Sequence, residues 1–217
     1  MTDIKKETKT FEQVIKTRRT VRNFTTEIPS IENVNEIIKS AIYAPYGSTT
    51  GIALTKIRKI YVFEQNSENM KKAREIIYTQ LKHNSRELNI VISLFPFLKK
   101  KMKPFADRVK KISDNGIPSL KIAPYLIIIA EKKDFPSIEK QSIAHALENM
   151  WLTATNLGLG FQLISAVGTL SGNKQFLELL NLPKGQYTLE GCVLGYPVSS
   201  SSKIKEFELD SYVTWLK

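Results

Sequence analysis

The chain has 217 residues, 42% of them hydrophobic, and 32 lysines and arginines against 21 acids give it a formal charge of +11. That is enough apolar material for a sizeable core in one or two domains, and the cationic excess favours an anionic partner (nucleic acid, an anionic membrane surface or a phosphorylated ligand) without choosing among them. Cys192, the lone cysteine, excludes an internal disulfide framework, the polar amino terminus has no signal-peptide core, and apolar runs such as 125–130 are too short to span a bilayer, so the expectation is a soluble cytoplasmic protein.

Residues 10–19 place Phe11, Val14 and Ile15 on one helical face. The stretch Thr17–Phe24, TRRTVRNF, follows with three arginines, Arg18, Arg19 and Arg22, leading into residues that favour extended backbone. A helix over 29–45 begins at the cap residue Ser30, buries Val34, Ile37, Ile38, Ala41 and Ile42, and stops at Pro45. β-branched and aromatic residues predict a strand over 54–64. A helix over 67–84 buries Met70, Ala73, Ile77 and Leu81, and the basic stretch 95–112 has a helical apolar face of Phe105, Val109 and Ile112. Residues 123–132 read as a strand buried on both faces. The helix over 137–157 repeats apolar residues at Ile143, Leu147, Met150, Ala154 and Leu157, with Trp151 widening the stripe, so it is buried on more than one side. A strand over 161–167, a short helix over 173–182 and a last strand over 187–197 complete the order. Several helices separate the first two strands, which is not a strict βαβ alternation. The pattern predicts a mixed α+β fold in a single domain, 1–217, with a helical, basic insertion at about 65–120.

Much familiar chemistry is missing. His83 and His145 join no cysteine or metal-type cluster, so no metal site is expected. No phosphate-binding G-x-x-x-x-G-K-[ST] loop, dinucleotide fingerprint or G-x-S-x-G nucleophile elbow is present. The Gly158-Leu159-Gly160 element follows a helix and reads as its terminator; Cys192 reads as a small buried hydrophobe and His145 as a packed or interfacial residue. The basic stretch 95–112 holds seven positive charges and one acid, Asp107. It reads either as a patch for nucleic acid or a membrane, with aromatics interleaved, or as a solvated lid helix. The arginine trio either surrounds an anion or caps the carboxyl end of the first helix.

Four elements, in this order, resemble the flavin-dependent nitroreductase family. RRTVRNF is similar to that family's R-R-S-x-R-x-F motif, SAIYAPYGS to its A-x-x-A-P-S-[SG] element, NMWLTATNLGLGFQLIS to its central helix and following strand, and LEGCVLGYP to its final strand with a G-Y-P exit; a short basic segment, SSKIKEF, comes next. The resemblance spans most of the chain outside about 65–120. It implies a central, mostly antiparallel sheet flanked by helices, with helices at a homodimer interface, the 137–157 helix and the tail ending in Trp215 and Leu216 among them. It implies bound flavin mononucleotide (FMN) as cofactor, NAD(P)H as transient reductant, and ping-pong hydride transfer through flavin N5 to a nitroaromatic, a quinone or another small-molecule electron acceptor.

The resemblance also implies the cofactor-binding residues. Arg18, Arg19 and Arg22 would grip the phosphate and ribityl chain, Thr20 would donate its hydroxyl or backbone N–H, and Lys203 or Lys205 would close the phosphate site. Backbone N–H groups of about Ile164, Ser165 and Ala166 would face N5. No side chain is expected to be catalytic, because the flavin carries the chemistry. Tyr46, Ser48 and Thr49 lie in the stretch that contacts the ring or ribityl chain, and here the sequence departs from the family: Tyr46 stands where serine is usual, Thr49 near the asparagine position, Gly51 near the glutamine, and alanine or leucine replaces a tryptophan. Two further readings stand beside the oxidoreductase: a non-catalytic binder of flavin or another phosphate ligand on the same fold, and a polyanion-binding module using 95–112.

Overall fold

The run Tyr-Leu-Ile-Ile-Ile-Ala has no charged side chain to turn toward water, so a strand built from it needs cover on both faces. The computed structural model, which describes residues 9–47, 51–95, 97, 99–199 and 206–216, supplies that cover. In β2 (Tyr125–Lys132) every residue except Lys132 is buried. Leu126, Ile128 and Ala130 enter one hydrophobic cluster, while Tyr125, Ile127 and Ile129 enter another on the opposite face. β1 (Arg58–Glu64) pairs with one edge of β2, β4 (Tyr187–Gly195) with the other, and β3 (Gly160–Leu163) with the far side of β4, all antiparallel, in the order β1-β2-β4-β3. The fold is α+β, a small antiparallel sheet between helical layers, as the residue pattern predicts.

One layer is made by α2 (Ile31–Ile42) and α7 (Glu139–Asn156). Ser30 caps α2, its hydroxyl accepting from the Asn33 N–H at 3.3 Å. α7 buries Ile143, Ala146, Leu147, Met150, Trp151 and Ala154, enough of its circumference to face both α2 and the sheet. The other layer holds α4 (Glu68–Leu94), α6 (Pro118–Ile122), a 3₁₀ segment at Ser165–Gly172 and α8 (Lys174–Leu179). α5 (Lys99–Asn115) packs on α4, and α1 (Phe11–Thr17) on α7. Cys192 is fully buried, which raises its thiol pKa, in keeping with the small hydrophobe expected there. Among the described residues no helix is long and apolar enough to cross a membrane.

The structure moves several expected boundaries. Residues Leu54–Ile57 form a helical turn, α3, rather than the first half of a strand. β1 begins only at Arg58, whose buried guanidinium is tied to β2, α2 and α7 and so sets where pairing starts. α4 runs ten residues beyond Asn84. That asparagine accepts from Gln80 one turn back at 2.9 Å and donates to Thr169 at 3.2 Å, satisfying its side chain without breaking the helix. The strand expected over 161–167 ends at Leu163, opposite Cys192; the Ile164 N–H still donates to the Gly191 carbonyl, and the chain then turns into the 3₁₀ segment. On α5, Ile112 packs against the core as expected, but Phe105 stays 58% exposed.

Candidate functional site

The arginine stretch begins where α1 stops. Thr10 and Gln13 form a capping box at its start. The helix ends at Thr17, two residues earlier than its pattern suggests, and Arg18 has already left helical backbone. The chain then runs beside the sheet: Thr20 bridges Phe161, the Val21 N–H donates to the Phe161 carbonyl at 3.0 Å, and the Thr25 N–H donates to Tyr196 at 2.8 Å. This close approach needs Gly160. A Cβ there would fall 2.7 Å from Val21 Cγ1 and 3.0 Å from Phe24 Cε1. Gly160→Ala should therefore cost about 1–3 kcal/mol of stability by overpacking, read as a lowered urea midpoint; an unchanged midpoint would show that the segment from Arg18 to Phe24 adjusts freely.

The three arginines meet different fates. Arg18 lies 4.2 Å from the centroid of the Trp151 ring, with its Nε 3.3 Å from Glu148. Trp151 is stacked on Phe161 at 5.2 Å and donates its indole N–H to the Arg19 carbonyl at 3.1 Å. Arg19 donates its guanidinium to the carbonyls of Lys16 at 2.9 Å and Arg18 at 2.7 Å, so this residue caps the end of α1. Arg22 is exposed and, among the described residues, makes no ion pair.

Two clefts meet at Thr20. The first, about 950 Å³, is lined by Ile15, Lys16, Arg18, Arg19, Thr20, Glu206 and Phe207, three cations against one carboxylate. The second, about 560 Å³, has Thr20, Arg22, Trp151, Gln162, Leu163, Ile164 and Ser165 on one side, and Arg108, Lys111, Ile112, Gly116, Ile117 and Pro118 on the other. Its floor is the start of the 3₁₀ segment, whose first internal bond runs from the Val167 N–H to the Ile164 carbonyl at 2.9 Å. The N–H groups of Ser165 and Ala166 precede that bond and have no acceptor within the segment's own ladder. In the wall, Gln162 Oε1 is buried and has no hydrogen-bond partner among the described residues. Nearby, burial raises the Glu190 carboxyl pKa and Lys140 opposes the shift; Glu190 packs under Gly168 rather than lining either cleft.

The structure thus brings Arg18, Arg19, Thr20, Arg22, Ile164 and Ser165 around two clefts that share Thr20, with Ala166 buried just behind. It does not bring Tyr46 there. The Gly47 N–H donates to Ser142 at 3.0 Å, which anchors this stretch to α7 nine residues before Trp151, about 13 Å along the helix axis at 1.5 Å per residue. Ser48, Thr49, Lys203 and Lys205 lie outside the described residues. Arg108, Lys111, Trp151 and Gln162 also line the second cleft, with no site motif in the sequence to mark them. The i, i+3 spacing of Arg108 and Lys111 already puts them on one helix face, and Trp151 was legible only as core.

A family profile described as the nitroreductase family matches residues 15–196. The chain belongs to the nitroreductase family. Its fold is that of solved flavoproteins, the nitroreductase family among them. A nitroreductase from Bacteroides fragilis with bound FMN is 19% identical, with a TM-score of 0.69 over 97% of this chain and 100% of that one. A BluB-like flavoprotein from Clostridium difficile is 22% identical, with a TM-score of 0.69 over 96% of this chain and 100% of that one. An iodotyrosine deiodinase bound to FMN and 3-iodo-L-tyrosine is also 22% identical, with a TM-score of 0.64 over 96% and 100%. No curated protein sequence matches. For this nitroreductase-family chain, both clefts fall within elements that the family profile covers, apart from Glu206 and Phe207.

Proposed function

We propose that the protein is an FMN-dependent oxidoreductase that takes hydride from NADH or NADPH and passes electrons in a second, separate step to a nitroaromatic, a quinone or another small acceptor. The observation that carries this reading is that a cationic cleft and a cleft lined by Ile164 and Ser165, where the 3₁₀ segment starts, share Thr20 in their walls. The residues fit the cofactor at both ends. Lys16, Arg18 and Arg19 supply charge for a phosphate dianion, and guanidinium forks match phosphate oxygens in paired, charge-assisted hydrogen bonds. The side-chain carbonyl of Gln162, without a partner among the described residues, fits a ligand that brings an N–H, as the pyrimidine edge of a flavin does.

Bound flavin would supply hydride acceptance and release at N5. The protein's share is placement. Arg18 would turn part of its charge from Glu148 to the phosphate while its plane stays against Trp151. Thr20 would span phosphate and ribityl chain. The Ser165 and Ala166 N–H groups would point at the ring atom that gains charge, and preorganised donors of this kind favour the charged state without reorganising. Trp151, Ile164 and Leu163 would keep water from one side.

A homodimer belongs to the proposal. Phe207, Leu209, Tyr212, Trp215 and Leu216 are each 68–95% exposed at the end of the chain, more apolar surface than a lone chain ordinarily leaves uncovered. A second copy would also offer a route for Tyr46 to reach a ring that its own chain does not bring near. The deciding measurement is the visible spectrum of the purified protein after incubation with FMN and desalting. Retained yellow absorbance that bleaches with NADH or NADPH under anaerobic conditions and returns on adding menadione is the expected result. Colour without bleaching would reduce the protein to a flavin binder, and a colourless protein would overturn the reading.

A further inference from the structure

α5 carries a feature that flavin binding leaves unused. Arg108 and Lys111 are three residues apart on one face of this helix and line the second cleft across from Arg22. Ile112, beside them, packs against the core and fixes the helix's rotation, so the two cations are held toward the cleft. Among the described residues, neither forms an ion pair, and no carboxylate lines this cleft. The acids of α5, Asp107 and Asp114, are not part of the lining either. Three cations facing one space repel one another unless an anion joins them. The remaining wall on this side, Ile112, Ile117 and Pro118, is apolar. The space therefore matches a ligand with a flat apolar body and one negative group.

We propose that Arg108 and Lys111 bind the carboxylate of a small aromatic acid in the second cleft, the enzyme's electron acceptor, whose nitro or quinone group is the part reduced. The assignment rests on the flavin reading above, which places the ring at Ser165 in this cleft, and on the family resemblance, which gives Arg22 to the cofactor. Pyrophosphate of the nicotinamide donor is the other anion that visits such a site, and its occupancy is separable by experiment.

The test is equilibrium binding to the FMN-loaded protein, followed by tryptophan fluorescence and isothermal titration at low and high salt, with 4-chlorobenzoate and its neutral isostere 4-chlorobenzamide, neither of which is reducible here. ADP-ribose, which carries the donor's pyrophosphate without nicotinamide, is the third ligand. The wild-type protein is expected to prefer the benzoate by about tenfold, the scale of one charge-assisted contact pair partly screened by water. High salt should narrow that preference. The R108Q/K111Q double variant should lose it while the benzamide still binds as before, which separates lost charge from a deformed cleft. Equal wild-type affinities, or a preference that survives in the double variant, would overturn the inference. So would a loss confined to ADP-ribose, which would assign the two cations to the donor instead. Flavin absorbance of each sample reads the earlier proposal separately: no retained FMN defeats that proposal and this one together, whereas yellow protein without a benzoate preference defeats this one alone.

Discussion

Glu131→Ala should lower the unfolding free energy by about 3–5 kcal/mol, the usual cost of leaving one partner of a buried ion pair alone. Arg58 and Glu131 each have side chains only 1% exposed, and their Nε–Oε2 separation is 2.7 Å. The Arg58 guanidinium also donates to the carbonyls of Ala41 and, at 3.2 Å, Ser142, so one charge ties β1 and β2 to the carboxyl end of α2 and the first half of α7. Without Glu131 that charge stays buried against two carbonyl dipoles alone. Removing the glutamate also removes Oε1, which has no partner among the described residues, and this relieves a part of the loss. For a chain of this size each kcal/mol moves Tm by roughly 2–4 °C, so a fall of at least about 6 °C is expected, with a matching drop in urea midpoint. A paired apolar replacement, R58M/E131L, should be less damaging than the single glutamate change, because no charge remains unsolvated. A loss under about 1 kcal/mol for Glu131→Ala would mean that water reaches Arg58.

Arg22→Ala and Arg18→Ala should each weaken FMN binding by about 10- to 150-fold, equivalent to roughly 1.5–3 kcal/mol for a hydrogen bond to a charged group. The two differ in what they release. Arg22 has no ion pair among the described residues, so its loss subtracts ligand contacts only. Arg18 holds Glu148 and Trp151, so its loss also loosens the wall; a lysine there keeps charge but not the planar stack or the two-pronged donation. Glu148→Gln is the informative control: it removes the competitor for Arg18 and should leave FMN affinity equal or improved. Titration of FMN fluorescence quenching reads all four variants. Unchanged affinity in both alanine variants would remove the arginine stretch from the cofactor site.

What could be read from the residues alone is uneven in an instructive way. The six apolar positions of 125–130 settled a doubly covered strand, and the repeat through Ile143, Leu147, Met150 and Ala154 settled a helix with more than one buried side; both are burial patterns written at the period of the backbone. The family was legible in four short motifs whose order survives large divergence. The end of α1 and the start of β1 were not, since each is decided by a distant partner: Trp151 holding the Arg19 carbonyl, and Glu131 holding Arg58.

By itself, then, the amino-acid order determined the α+β class, the helix and strand faces, and the presence of an arginine stretch suited to an anion, because periodicity and charge are local properties. Only the tertiary structure decided that Arg19 caps a helix while Arg22 makes no ion pair among the described residues, that Gln162 Oε1 is buried without a partner among them, and that Arg108 and Lys111, some ninety residues away, stand across the same cleft. Those outcomes depend on which surfaces meet once the two layers close on the sheet, and pairing at that range leaves no periodic trace in the chain.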